Sequence, residues 1–337
     1  MKANLSGMTA AGALAALPAH AAPQEASSRA LPKAFDGLQP LGSRVHPITP
    51  EEFAARREHA IKLMASTDPA LDAVYITAGS SSLYYFTGVR WGLSERLMAV
   101  LLFRSGDPVV ICPAFEAGRL HELVKFPAEF RTWEEDESPY ALAAKALADR
   151  GLHTGRVGVE ERVPYMFFDG LRRAGAAYEY TSANAVTIGC RAQKSPAELD
   201  LMRLACSATV DCFRAVIASL HEGMAEREVH ALLQGGFRRM GLEGGALVLF
   251  GEWAALPHGT TTPQKLREGD VVLIDGGTSV EGYASDVTRT TVLGTPAEKH
   301  RRAFDAVHHA QEAALDAARA LRLSGSVDDA ARAVITS

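Results

Sequence analysis

Cysteine is scarce: Cys112, Cys190, Cys206 and Cys212 are the only four in 337 residues, and none forms a C-x-x-C pair. That spacing excludes a zinc knuckle, a dithiol redox site and a disulfide scaffold, and leaves the four as core residues. No dense basic run is present, and a net charge of −5 with both signs interspersed gives no electrostatic reason to expect nucleic acid as a partner. No stretch beyond the first residues approaches the roughly 18 uninterrupted apolar residues of a bilayer span, so no membrane span is expected. The G-x-S-x-G elbow of serine hydrolases is missing around Ser80-Ser81-Ser82, which therefore reads as a turn. Small or peptide-like partners remain.

The chain is 47% apolar, enough for two domains of ordinary size. At its start, Lys2, an apolar stretch from Met8 to Leu17 and Ala19-His20-Ala21 resemble the three parts of a signal peptide, expected over residues 1–21. The expectation is an exported protein, periplasmic or secreted. Residues 1–21 contain no twin arginine, which favours the general secretory route; the alternative is an alanine-rich tail on a cytoplasmic protein. A proline- and serine-bearing linker is expected over 22–47.

Thr49-Pro50-Glu51-Glu52 then supplies a capping threonine, a proline at the first helical position and a glutamate three residues after the cap, predicting a helix to Met64. From Leu71 to Ala114 the short runs AVYIT, LYYFTG, MAVLLF and PVVICP read as strands. Helices around Pro139 to Arg150 and Pro164 to Ala174, with RVGVE between them, complete an α/β domain over residues 48–190. A capping box at Ser195-Pro196-Ala197-Glu198 opens a second unit, 191–337. Its helix runs to about Leu220 and is followed by Gly223, a helix from Glu226 to Met240, and strands ALVLF, VVLID and DVTRTTVL. After Pro296 a helix, a glycine and another helix recur, and GMAEREVHALL can be laid over GSVDDAARAVI as a weak internal repeat. No strands follow the second pair, so the second half of this unit is expected to be missing.

The chemistry concentrates between Gly251 and Gly294. Val271 to Asp275 and Asp286 to Val292 read as a hairpin, and a turn centred on Val280-Glu281 would set Asp275 directly opposite Asp286. Opposed like charges destabilise a hairpin unless a cation lies between them. Carboxylates suit hard ions such as manganese or magnesium, and a pair of ions ~3.5 to 4 Å apart could be bracketed this way. Arg289 alternates with Thr288 and should project to the other face, which weakens a plain salt bridge as the explanation. Asp275-Gly276-Gly277-Thr278-Ser279 also allows a phosphate-cradling hairpin like that of actin-like sugar kinases and ATPases, but that leaves Asp286, Thr288 and His258 unexplained. His258, in a Pro-His-Gly turn, could donate to a substrate carbonyl or relay protons.

Together, the Pro-His-Gly turn, LREGDVVLIDGG and GYASDVTRT resemble the pita-bread metallopeptidase family, which includes aminopeptidase P, prolidase and creatinase. KSPAELDLMR, EGMAEREV and SSLYYFTGVRWG extend the resemblance over roughly Ile48 to Ser337. It implies a creatinase/prolidase-like α/β N-terminal domain followed by an α+β pita-bread domain, here incomplete. It implies metal-dependent hydrolysis of Xaa-Pro bonds, with a proline-containing peptide as substrate and a homodimer as assembly. Asp275 and Asp286 would be ligands to two divalent ions, manganese first and cobalt or zinc next. His258 would steady substrate, and Thr288 would support Asp286 from outside the ligand set. A later histidine in a GHGxG-like segment and two later glutamates, which complete the family's cage, have no counterparts here. His300, His308 and His309 read as a solvated helix face. A truncated, non-catalytic family member or a binding module is therefore the alternative for this chain.

Overall fold

The computed structural model describes residues 30–319 and 322–337; the segment expected as a signal peptide lies outside them. The N-terminal unit contains strands β1 (Ala73–Thr77), β2 (Ala99–Phe103), β3 (Val109–Pro113), β4 (Glu129–Trp133), β5 (Gly155–Val159) and β6 (Tyr178–Ser182). Its helices are α1 (Pro50–Ser66), α2 (Ser81–Thr87), α3 (Ala117–Leu123), α4 (Pro139–Asp149), α5 (Tyr165–Ala174) and α6 (Asn184–Ala192). The strands form one sheet in the order β4-β3-β2-β1-β5-β6. Pairing is antiparallel from β1 to β2 and from β2 to β3, and parallel elsewhere. Every residue of β1, β2 and β3 is buried, because both faces are covered. Met64, Phe86 and Val186 pack on one side, and Leu147, Phe167 and Leu171 on the other.

The second unit contains α7 (Pro196–Ile217), α8 (Glu226–Arg239), β7 (Gly244–Phe250), β8 (Val271–Val280), β9 (Tyr283–Ala284), β10 (Val287–Val292), α9 (Glu298–Ala317) and α10 (Gly325–Thr336). The sheet runs β10-β8-β7, with β9 continuing the hairpin from β8. Even-numbered residues of β7 and β8, among them Val248, Phe250, Val272 and Ile274, pack into one core with Ala208, Phe213, Leu233 and Phe237 of α7 and α8. The other sheet face carries Leu247, Leu273, Asp275 and, through cross-strand pairing, Thr288. The α7 capping box forms as expected, Ser195 Oγ accepting from Glu198 N–H at 3.2 Å and Glu198 Oε2 accepting from Ser195 N–H at 2.8 Å.

Three expectations are corrected. The run LYYFTG is not a strand: Ser80 caps α2 by accepting from Leu83 N–H at 3.1 Å, and Gly88 ends it at φ 72°, so local capping outweighs the strand preference of the aromatics. From residue 30 the linker is not free, since Phe35, Leu38 and Leu41 are buried in the core of the second unit. The hairpin turn falls on Glu281-Gly282, with φ of 49° and 84°, one residue later than expected. Two consecutive left-handed residues match the twist of a two-residue hairpin, and glycine takes the second position without steric cost.

Candidate metal centre

The shifted turn changes the register. Thr288, not Asp286, lies opposite Asp275, and Val287 lies opposite Gly276. The Thr288 hydroxyl donates to Asp275 Oδ1, so Thr288 supports Asp275 rather than Asp286. Asp286 stands one pleat away, on the diagonal. Its face follows from its neighbours: Tyr283 pairs with Val280, and the Ser285 amide donates to Thr278 O at 2.9 Å, both on the core side. Alternation then directs Asp286 to the face shared by Asp275 and Thr288.

Burial agrees with that alternation, because Ser285 is buried whereas Asp286 and Thr288 are exposed and Asp275 is half-buried. Ser285 Oγ accepts from Thr278 N–H at 3.0 Å and shares a 2.7 Å hydrogen bond with Thr209 Oγ1 of α7. Gly277 is required beside it: a Cβ there would stand 2.5 Å from the Ser285 carbonyl oxygen. Arg289 is registered against Ile274, on the opposite face, and donates to Thr288 O at 2.7 Å.

His258 is exposed in the connection from β7 to β8. Its neighbour Gly259 lies over β7, where an added Cβ would meet Leu247 Cδ1 at 2.9 Å. Leu247 is the cross-strand partner of Asp275, so the Pro-His-Gly turn crosses the sheet on the carboxylate face. A concavity of about 450 Å³ at the hairpin turn, lined by Leu41, Arg90, Met240, Val280 and Glu281, includes none of Asp275, Asp286 and His258 in its wall.

Two carboxylates on one sheet face are hard-oxygen donors of the kind that suits a divalent ion. They do not make the cage for two ions: among the described residues, no group of three or more His, Cys, Asp or Glu side chains is placed to hold a metal. His308 and His309 are exposed on α9, as the solvated-face reading expects, but His300 at its start is half-buried, with Nδ1 shielded from water and without a hydrogen-bond partner among the described residues, so that reading fails for it.

Sequence reasoning missed a buried cluster on the core side of the hairpin, opposite this face. Tyr283 Oη donates to Glu198 Oε1 at 3.0 Å and accepts from Arg56 Nη2 at 3.1 Å, linking β9, α7 and α1. Arg56 also donates to Glu52 Oε1 at 2.8 Å and to Tyr85 O at 3.2 Å. Burial pushes the Tyr283 phenol far up, although the Arg56 guanidinium opposes that shift. Only the capping box marked Glu198, and nothing in the sequence tied it to residues 56 and 283.

The two-unit architecture and the aspartate-bearing hairpin coincide with two family models. Residues 200–337 match metallopeptidase family M24, and residues 56–193 match the creatinase/prolidase N-terminal domain. The chain belongs to the M24 metallopeptidase family. It is 33% identical over 318 residues to an uncharacterized peptidase of Schizosaccharomyces pombe, covering 88% of this chain and 68% of that one. It is 29% identical over 270 residues to an Xaa-Pro dipeptidase of Pyrococcus horikoshii, covering 79% and 72%. The crystal structure of dipeptidase PepE from Mycobacterium ulcerans superposes with a TM-score of 0.77 at 29% identity, over 86% of this chain and 78% of that one.

Proposed function

We propose that this peptidase-family chain acts on Xaa-Pro bonds, in dipeptides or at the N-terminus of longer peptides, and does so with a divalent ion, manganese being the expected one. The observation that carries the reading is the placement of Asp275 and Asp286 on one sheet face, crossed by the turn that bears His258. A bound ion supplies Lewis-acid polarisation of the scissile carbonyl. Asp275, held by the Thr288 hydroxyl, is the fixed arm of the clamp, and exposed Asp286 is the arm nearer solvent. His258 donates to the substrate carbonyl. The Xaa-Pro dipeptidase among the relatives supports the substrate class.

A second reading has its own observation. With no third ligand placed among the described residues, a non-catalytic family member that binds peptide is the alternative. Hydrolysis of Xaa-Pro dipeptides and longer Xaa-Pro peptides, with and without added Mn²⁺, separates the two. The catalytic reading expects Mn²⁺-dependent release of the N-terminal residue that falls by more than about a hundredfold in Asp286→Ala. Activity that survives this substitution would remove Asp286 from the site, and peptide binding without turnover would favour the alternative.

A further inference from the structure

The hairpin that carries the carboxylates is held from the neighbouring domain. Arg56 is 5% exposed and Glu198 2%, so their contact with Tyr283 is shielded from water. The guanidinium faces Glu52 and Glu198, at 2.8 and 3.5 Å, and stacks 4.3 Å from the Tyr85 ring centroid. Glu198 is satisfied on both oxygens, by Tyr283 Oη and by Ser195 N–H. Tyr283 follows the turn directly, and Asp286 comes three residues later. A second contact reaches the turn itself: Arg90 Nη2 lies 3.0 Å from Glu281 Oε2, and a Cβ on Gly282 would meet the Tyr84 ring at 3.0 Å.

We propose that Arg56, a residue of the N-terminal domain, is a positioning residue for the carboxylate pair and acts through Tyr283. The clasp fixes the core-side pleat at Tyr283, Ser285 and Thr209 fix the next, and the residue beyond, Asp286, is left with one face to occupy. Arginine suits the role because its planar fork reaches the Tyr85 carbonyl from Nη1 and Glu52 and the Tyr283 hydroxyl from Nη2, whereas an ammonium would have to serve all three from one nitrogen. The N-terminal domain is thereby part of the machinery that shapes the site, even though none of its side chains is assigned to the metal. The proposal rests on the metal-clamp reading only for what the hairpin carries.

The test uses the full chain with Arg56→Lys, which keeps the charge, Tyr283→Phe, which removes only the hydroxyl, and Asp275→Asn as the binding control. Mn²⁺ titration followed by the spin resonance of the free ion should show about a tenfold or greater loss of affinity in both clasp variants, at temperatures where circular dichroism shows them folded. Hydrogen exchange of amides 284–288 should speed up by about tenfold while amides of β1 to β5 stay at wild-type rates. Wild-type affinity and exchange in the folded variants would overturn the proposal, as would faster exchange spread equally over both domains. If wild type binds Mn²⁺ no better than Asp275→Asn, the metal reading falls, and the exchange of 284–288 alone then decides the clasp: local acceleration upholds it and unchanged rates overturn it.

Discussion

The two helix pairs of the second unit carry similar sequence and have opposite surroundings. Laid over one another, GMAEREVHALL and GSVDDAARAVI align Leu233 of α8 with Ile335 of α10. Leu233 is fully buried against β7 and β8, whereas Ile335 is 55% exposed. On α8, Val229, Leu233, Gly236 and Phe237 are buried; α10 buries none of its residues and α9 only Ala310. The first pair meets a sheet on its apolar face, and the second packs chiefly upon itself. Periodic apolar residues thus make a helix in both places, but a core arises only where another layer covers the stripe.

Substitution at the aligned positions tests this difference most strongly. Leu233→Ala should cost about 2 to 5 kcal/mol in denaturant unfolding, and Ile335→Ala within about 0.5 kcal/mol. Equal costs would break the comparison. The uncovered face should also drive association, because Phe304, Val307 and Leu315 are all more than half exposed on α9. Sedimentation of Phe304→Ser/Leu315→Ser should shift toward monomer relative to wild type, and an unchanged profile would show that this face does not associate.

The smallest effect is a control in the sheet domain, away from both pairs. Glu160 is 2% exposed, and burial raises its carboxyl above the ordinary 4.5, with the Arg162 amide opposing. A raised folded value means that its contribution to stability is full below pH 4.5 and is lost as pH rises through the folded value. Melting of wild type should therefore fall relative to Glu160→Gln between mildly acid and neutral pH. Parallel melting curves for the two proteins across that range would contradict it.

Much of the fold was legible because its signals are short-range. Thr49 and Ser195 each sit three residues before a glutamate and both cap helices, and AVYIT, MAVLLF and PVVICP lie in or over strands. LYYFTG misled because its aromatics favour strands while the deciding groups are Ser80, three residues before the run, and Gly88, its last residue. Phe35, Leu38 and Leu41 are buried by a distant partner, which no local periodicity announces. At the site, residue types pointed to Asp275, Asp286 and His258, but the register depended on where two left-handed residues fall, and Glu281 is a non-glycine at positive φ. The Arg56–Tyr283–Glu198 cluster joins positions 85 to 227 residues apart and is visible only in three dimensions.

The central claim is that Asp275 and Asp286, separated by one pleat on a shared sheet face, act on one cation. Calorimetric titration of Mn²⁺ into wild type, Asp275→Asn, Asp286→Asn and the double variant tests it most directly. The account predicts one site in wild type, loss of that site in either single variant, and no further loss in the double, since two arms of one clamp are not additive. Independent losses that sum, or a single variant that keeps wild-type affinity, would contradict it.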